Sequence, residues 1–227
     1  WRATNTTLIM EAGTQVLADP VRLGPILGIA SYAGRLYLLS PQGPKLLDGD
    51  VFEESPVDWG EMPSRRLRDM PARGSQLWIA TDRGVAVLRG AALTTLDGDA
   101  GLPQEDVLCF ASGFARDLWI GTSRGAIRKT GDDYHYFRGK LWLPDDAVAD
   151  IAVVDQTVYL ATDRGIGILR YEPYTLRKKA AYYERDLEIR GYKRLGFVHK
   201  LYWSDAENAW IREISDNDGG HTAHYLA

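Results

Sequence analysis

Short apolar runs alternate with polar turns along most of the chain, and one of these runs returns at a nearly constant spacing. "LWIATDRG" occupies residues 77–84, "LWIGTSRG" residues 118–125 and "VYLATDRG" residues 158–165. A looser copy, "LYLLSPQG", occupies residues 36–43, so the copies start 41, 41 and 40 residues apart. Such regular self-similarity predicts one structural unit that is used four times.

Each unit has the sequence pattern of four short β-strands. An apolar run such as "VLCFAS" precedes the repeated segment, a third run such as "VAVLR" or "IGILR" follows its turn, and a looser fourth run such as "ALTTLD" or "DYHYFR" comes last. These runs are rich in β-branched and aromatic residues and are bounded by Gly, Asp and Pro, which is typical of strands. The units lack the long amphipathic runs that a helical repeat needs. Four strands in roughly 40 residues predict a blade of a β-propeller.

A glycine closes the repeated segment in every unit, because a tight turn between two strands needs a residue with positive φ. These glycines are Gly43, Gly84, Gly125 and Gly165. In three units we expect the residue two positions before the glycine to hydrogen-bond the turn backbone, namely Asp82, Ser123 and Asp163.

The predicted fold class is all-β: a β-propeller of four to five four-stranded blades, with a repeat of 40–41 residues and a C-terminal helical segment. Strands at the N-terminus are expected to complete a blade. We place the propeller over residues 1–173, with blades near 26–64, 65–104, 105–145 and 146–173 and the N-terminal strands in 6–19.

The C-terminal part, residues 174–227, departs from the repeat. Leu176, Ala180, Tyr183 and Leu187 recur at helical spacing and predict an amphipathic helix within 174–196. An acidic loop and a second helix near Thr222 are expected to follow. This part either closes the propeller, with 200–214 as the inner half of a fifth blade, or opens a helical domain.

Composition narrows the classes of function. Charged residues make up 26% of the chain and the net charge is −4, which argues against a nucleic-acid-binding surface. The longest apolar stretch, residues 23–39, is broken by Gly, Pro, Ser and Arg, so we expect no transmembrane segment. Cys109 is the single cysteine and is expected to be a buried small hydrophobic residue, without an internal disulfide or a thiolate metal cluster.

The arginines of the repeated turns are candidate ligand-binding residues. Arg83, Arg124 and Arg164 fall at equivalent positions, so they would form a ring on one face that suits anionic sugars. The alternative, which we favour, is that each arginine stacks on an aromatic neighbour or caps a carbonyl, because the residue recurs whatever its exposure.

Aromatic residues outside the regular repeat positions are a second candidate binding surface. Tyr134, Tyr136 and Trp142 are predicted to form an exposed platform on which sugar rings stack. Trp78 and Trp119 occupy repeat positions and are expected in the core between blades instead.

Four polar residues near the C-terminus are weak candidates for catalysis, namely Asp216, Asp218, His221 and His224. Asp216 and Asp218 are also weak candidates for binding calcium, although the spacing does not match an EF-hand loop. Two histidines without a third protein ligand make a poor zinc site. We prefer Asp218 as a helix N-cap, and we expect neither a metal nor a cofactor.

The repeat resembles the two-component-regulator propeller family. "LWIGTSRGAIR" and the connection "GDAGLPQEDV", residues 98–107, carry the resemblance, which extends over about residues 26–172. "WLPDDAV" is a degraded copy of the same connection, and "SPQG" in the first unit departs from the usual turn. The resemblance implies an extracytoplasmic module that senses ligands or accompanies another domain and is not itself a catalyst.

The C-terminal part resembles the start of an (α/α) six-hairpin domain of glycoside hydrolases and polysaccharide lyases. "YYERDLEIR" and "SDNDGGHTAHYLA" carry this resemblance. It implies that the chain is the front of a longer carbohydrate-active protein, in which residues 215–224 would border the active site.

These observations favour a noncatalytic binding or scaffold propeller of a carbohydrate-related protein that is secreted, periplasmic or on the cell surface. The expected partners are a polysaccharide or oligosaccharide and a helical catalytic domain or partner protein, not nucleic acid. One alternative is the N-terminal part of a glycoside hydrolase or polysaccharide lyase, so whether the protein is an enzyme stays open. A second alternative is a propeller that binds only proteins.

Overall fold

The structure, a computed structural model, is described here for most of the chain. The backbone is described for residues 2–3, 8–10, 15–17, 24–48, 51–54, 57–213 and 218–226. Side chains are described for residues 24–47, 57–213, 219–220 and 222–225. The chain divides into two compact units, residues 1–170 and residues 171–227, and each is considered by itself.

The first unit is a succession of antiparallel sheets. An N-terminal sheet contains β1 (Arg2–Ala3), β2 (Leu8–Met10) and β3 (Gln15–Leu17). The first blade contains β4 (Gly28–Tyr32), β5 (Arg35–Ser40), β6 (Gly43–Asp48) and β7 (Val51–Glu54). The second blade contains β8 (Ala72–Arg73), β9 (Gln76–Thr81), β10 (Gly84–Arg89) and β11 (Ala92–Leu96).

Two more blades follow in the described part of this unit. The third blade contains β12 (Val107–Ser112), β13 (Leu118–Thr122), β14 (Gly125–Thr130) and β15 (Asp133–Phe137). The fourth blade contains β16 (Val148–Val154), β17 (Thr157–Thr162) and β18 (Gly165–Arg170). Within every blade, strands that follow each other in sequence pair side by side. These meanders confirm the predicted all-β propeller architecture.

The turn between the second and third strands is the same in all four blades. The glycines have φ values of 127°, 108°, 140° and 133°, which confirms that the turn needs a residue with positive φ. A hydroxyl at the end of the second strand donates to the glycine carbonyl at 2.7–3.1 Å, from Ser40, Thr81, Thr122 and Thr162. In the first three blades the same hydroxyl accepts a backbone N–H from inside the turn.

The prediction that Asp82, Ser123 and Asp163 hold these turns was wrong in part. The threonine one position earlier bonds the glycine carbonyl, and of the three predicted residues Asp82 bonds turn backbone through its own N–H. The carboxylate of Asp82 also lies 3.6 Å from Arg66. A hydrogen bond with Ser64 and the charge of Arg66 lower the pKa of Asp82. A hydroxyl can donate and accept at once, which a carboxylate cannot, so threonine satisfies both backbone groups of the turn.

We expect Thr122→Val to lower the free energy of unfolding by about 1–3 kcal/mol, because it leaves a buried carbonyl and a partly buried N–H without their partner. Thr122 is fully buried, whereas Thr162 in the fourth blade is only half-buried. Thr162→Val is therefore the matched control and should cost less, since water can replace its hydroxyl. Urea denaturation followed by tryptophan fluorescence measures both. Equal losses at the two sites would contradict this account of the turn.

The apolar core lies between neighbouring blades. One cluster joins Tyr37 and Leu39 of the first blade to Leu77 and Ile79 of the second. A second cluster joins the other face of the second blade to the third, through Trp78, Ala80, Val87, Leu118, Ile120 and Ile127. Each blade therefore has two apolar faces and cannot bury both alone, which is why the sequence repeats.

The fourth blade has one apolar face that is exposed. Ile166 and Ile168 follow Gly165 as Val85 and Val87 follow Gly84, yet they are 62% and 56% exposed where Val85 and Val87 are 0% and 8% exposed. In the described part of the chain, no fourth strand pairs with β18. Equivalent repeat positions therefore have different surroundings in this blade.

The described residues of the second unit form two helices and two hairpins. Its elements are α1 (Leu176–Ile189), β19 (Lys193–Arg194), β20 (Phe197–Val198), β21 (Lys200–Ser204), β22 (Ala209–Glu213) and α2 (Asp218–Leu226). The helix expected within 174–196 is thus present. It begins after the N-cap Thr175, whose hydroxyl accepts from Lys178 N at 3.2 Å. No side chain of α1 is buried. Among the described residues, neither helix has the length and apolar composition needed to cross a bilayer.

Candidate functional site

The arginines of the repeated turns are exposed and lie on separate blades. Arg164 is 3.4 Å from the carboxylate of Asp145, and the hydroxyl of Tyr136 donates to the backbone carbonyl of Arg124 at 2.6 Å. The Arg83 side chain is exposed on the second blade. Ligand binding by this set stays a prediction.

The structure does not bring the three predicted aromatic residues together. Tyr134 and Tyr136 lie on one face of the third blade and pack against its core with the second blade, and partial burial raises the pKa of both hydroxyls. Trp142 contacts Phe137, which projects from the opposite face of β15. Alternate residues of a strand point to opposite faces, so no single platform contains all three.

The C-terminal candidates are only partly described. Asp216 lies outside the described residues, and so do the side chains of Asp218 and His221, although Asp218 is the first residue of α2. His224 is exposed in the last turn of that helix. Within the described ranges, no group of three or more His, Cys, Asp or Glu side chains is placed to hold a metal ion.

A cleft of about 500 Å³ lies between the second and third blades, at the end opposite the repeated turns. Three arginines from different segments line it. Arg73 ends β8, Arg89 ends β10, and Arg116 lies in the loop between β12 and β13. Gln76 and Ser112 add polar side chains to the lining.

The loop between β12 and β13 differs from its counterparts. Other blades join their first two strands by two residues, as Arg73 pairs with Gln76 in the second blade. In the third blade Gly113 N donates to Asp117 O at 2.9 Å, so the loop has three residues. Its last residue, Arg116, has a φ of 58°, in the left-handed region where such loops favour glycine. The loop therefore holds an arginine side chain at a position whose backbone disfavours it.

A buried ion pair anchors this loop. The carboxylate of Asp117 is fully buried, pairs with Nε of Arg128 and accepts the N–H of Ala115 at 3.2 Å. The Arg128 guanidinium also lies 5.4 Å from the ring centroid of Phe114. A Cβ at position 113 would lie 1.9 Å from the Asp117 carboxylate, so this position requires glycine.

Arg73 ties the two walls of the cleft together. Its Nη2 donates to the backbone carbonyl of Arg116, so this hydrogen bond connects the second blade to the third. Among the described residues, no carboxylate pairs with the guanidinium groups of Arg73, Arg89 or Arg116. Because Arg128 neutralises Asp117, the lining carries a net positive charge.

Sequence reasoning missed this cleft because its arginines occupy three unrelated positions of the repeat. The one available signal was "GFARD", residues 113–117, where the other units have a two-residue turn. Loops that depart from a regular scaffold are where binding residues concentrate.

The inner strands hold a buried carboxylate and the single thiol. Asp69 accepts N–H groups from Met70 at 2.7 Å and from Phe110 of the next blade at 2.9 Å, and burial raises the pKa of this carboxyl. Burial, together with the charges of Asp69 and Asp150, raises the pKa of Cys109 to about 12. Cys109 is thus a buried neutral thiol, as the sequence predicted.

Comparison with known proteins identifies the fold. No protein-family model and no curated protein matches the chain. Virginiamycin B lyase from Staphylococcus aureus is similar in structure, at 12% identity and a TM-score of 0.52, over 74% of this chain and 60% of that one. A catalytically inactive form of that lyase, with quinupristin, matches at 13% identity with the same coverage and TM-score. The chain therefore spans 60% of the length of these β-propellers, and at such identity the likeness shows the fold alone.

A third solved structure is more distant. It is PorZ, an essential surface component of the type-IX secretion system of Porphyromonas gingivalis, at 12% identity and a TM-score of 0.47, over 94% of this chain and 32% of that one. The class of protein that fold and comparison define is a β-propeller module.

Proposed function

We propose that this propeller is a noncatalytic binding module of an extracytoplasmic, carbohydrate-related protein, and that its ligand occupies the cleft between the second and third blades. The observation that carries the proposal is the composition of that cleft. Residues that recur in every blade form turns and core, whereas Arg73 and Arg116 have no counterpart in the other blades. Arg89 recurs only as Arg170 of the fourth blade, and in the second blade it converges with Arg73 and Arg116 on one surface.

The chemistry of the lining supports binding rather than bond cleavage. Arginine, glutamine and serine side chains donate hydrogen bonds in the directions that sugar hydroxyls and acid groups require. Asp117, the acid in the lining, is fully buried and committed to Arg128. The described lining thus offers donors that hold a ligand.

The extracytoplasmic location and the saccharide partner belong to the same proposal. They are supported by the resemblance of "LWIGTSRG" and "GDAGLPQEDV" to the two-component-regulator propeller repeat. The chain carries a propeller module whatever its ligand proves to be.

A cleft-filling variant tests the proposed function. Isothermal titration against a panel of neutral and acidic oligosaccharides should find saturable binding, and Ser112→Trp should weaken it at least about tenfold, because the indole occupies the cleft. Ser112 is exposed at the rim, so the fold should tolerate the change. Asp163→Trp, which places the same ring on an exposed turn of the fourth blade, is the control and should bind normally.

Product analysis of the same mixtures separates binding from catalysis. We expect the oligosaccharides to remain intact. Cleavage that Asp218→Asn or His221→Ala abolishes would favour the glycosidase or lyase alternative instead. A panel in which no saccharide binds would overturn the proposed function.

A further inference from the structure

We infer that the cleft between the second and third blades selects saccharides that carry an acidic group, a carboxylate or a sulfate. This inference rests on the proposed function and adds the class of ligand. Its basis is the convergence of Arg73, Arg89 and Arg116 on one surface.

Three guanidinium groups around one cleft form an anion-binding arrangement. The planar fork of arginine matches the oxygens of a carboxylate or sulfate and can bind two of them at once. Arg89 and Arg116 are exposed and Arg73 is half-buried, so all three reach a ligand in the cleft. A neutral sugar would leave these charges without a partner.

The Arg73 guanidinium and the backbone that carries Arg116 are held in place before a ligand arrives. The bond from Arg73 to the Arg116 carbonyl fixes one guanidinium, and the Asp117–Arg128 ion pair fixes the loop that carries another. Groups that are already ordered lose less conformational entropy on binding, so their contribution to affinity is larger.

The backbone conformation of Arg116 determines which substitution tests the inference best. Its φ of 58° is uncommon for any residue with a side chain and is typical of glycine in a three-residue hairpin loop. Four other non-glycine residues of the described chain also have positive φ, all of them in turns, so this conformation reflects the turn and does not by itself indicate a ligand. Because glycine adopts this conformation without strain, Arg116 is the residue whose replacement best separates binding from folding.

The charge of the whole protein makes this positive cleft distinctive. The net charge is −4, so an acidic ligand is repelled by the molecule in general and attracted at this surface. Attraction at an exposed site weakens as salt screens it, with a Debye length of about 10 Å at 0.1 M ionic strength.

Two ligands with the same sugar backbone but different charge test the inference. Tetragalacturonate and its methyl ester have the same sugar backbone, but only the first is charged. Titration calorimetry should show that the acid binds at least about tenfold more tightly, a difference of 1.4 kcal/mol, and that this difference shrinks in high salt. A sulfated tetrasaccharide, run in parallel, distinguishes sulfate from carboxylate as the preferred group.

Arg116→Gly supplies the protein side of the test. It should abolish the preference for the acid over the ester while leaving Tm unchanged or higher, because glycine adopts this backbone without strain. Arg164→Gln, on a repeated turn of the fourth blade, is the matched control and should retain the preference.

Three other outcomes would each overturn one conclusion: the preference for acidic groups, the assignment to saccharides, or the role of this cleft. Equal binding of acid and ester, with Ser112→Trp still blocking both, would overturn the inference and leave the proposed function intact. An acidic tetrapeptide that binds as tightly as tetragalacturonate would overturn the assignment to saccharides. Binding of the acid that Arg116→Gly does not change would overturn the role of this cleft.

Discussion

Val87→Asp is expected to lower the free energy of unfolding by about 4 kcal/mol or more, whereas Ile168→Asp should lower it by about 1 kcal/mol or less. The two residues hold the same position in the third strand of their blades. Val87 is buried between the second and third blades, so a carboxylate there has neither water nor a partner. Ile168 is 56% exposed, so an aspartate carboxylate at this position stays hydrated.

Chemical denaturation of both variants checks this prediction, with Val87→Ala and Ile168→Ala as controls for the loss of the side chain alone. The loss at position 87 approaches the total stability of an ordinary domain, so this variant should be largely unfolded. An equally large loss for Ile168→Asp would mean that the open face of the fourth blade is covered in solution. Light scattering after size-exclusion chromatography would then show whether a second copy covers it.

This pair of residues also marks where sequence reasoning ends. "VAVLR" and "IGILR" have the same alternation, and the alternation correctly predicts the strands, the turn glycines and the propeller. Burial of a blade face depends on whether another blade lies against it. That neighbour is not encoded in the strand, so the exposure of Ile166 and Ile168 could not be predicted from their pattern.

The turns were predicted in their backbone but only in part in their side chains. Positive φ at Gly84 or Gly125 follows from the need for a tight turn, and it was found. Threonine and aspartate both bond turn backbones in general, so the sequence did not decide which residue does so here. The structure places the Thr122 hydroxyl between the carbonyl of Gly125 and the N–H of Arg124.

The candidate site is formed by residues of two neighbouring blades, and no local sequence pattern predicts which residues of different blades meet. Arg73 and Arg116 meet although they lie in different blades, each where the first strand of its blade turns into the second. The residues of the predicted aromatic platform lie apart for a related reason. Tyr136 and Phe137 point to opposite faces of β15, and Trp142 contacts Phe137. The alternation of a strand predicts that consecutive side chains point to opposite faces of the sheet. Which of the two faces each side chain occupies is known only once the neighbouring blades are placed.

Asp117→Ala is expected to lower the free energy of unfolding by about 3–5 kcal/mol, the usual cost of breaking a buried ion pair from one side. It would leave the largely buried Arg128 guanidinium without its carboxylate and the N–H of Ala115 without its acceptor. The anchored loop carries Arg116, so binding of acidic saccharides should also weaken. Denaturation and calorimetry measure these two effects on one preparation.

A double-mutant cycle separates the ion pair from the loop geometry. Arg128→Met keeps most of the side-chain volume and removes the charge, so Asp117→Ala/Arg128→Met should be more stable than the sum of the single losses predicts, by at least about 1 kcal/mol. That result follows if the cost of Asp117→Ala arises from removing the carboxylate that pairs with the buried Arg128 guanidinium. Strictly additive losses would instead assign the effect to the N–H of Ala115 and to the packing beside Gly113, where the carboxylate fills the space that any Cβ would need.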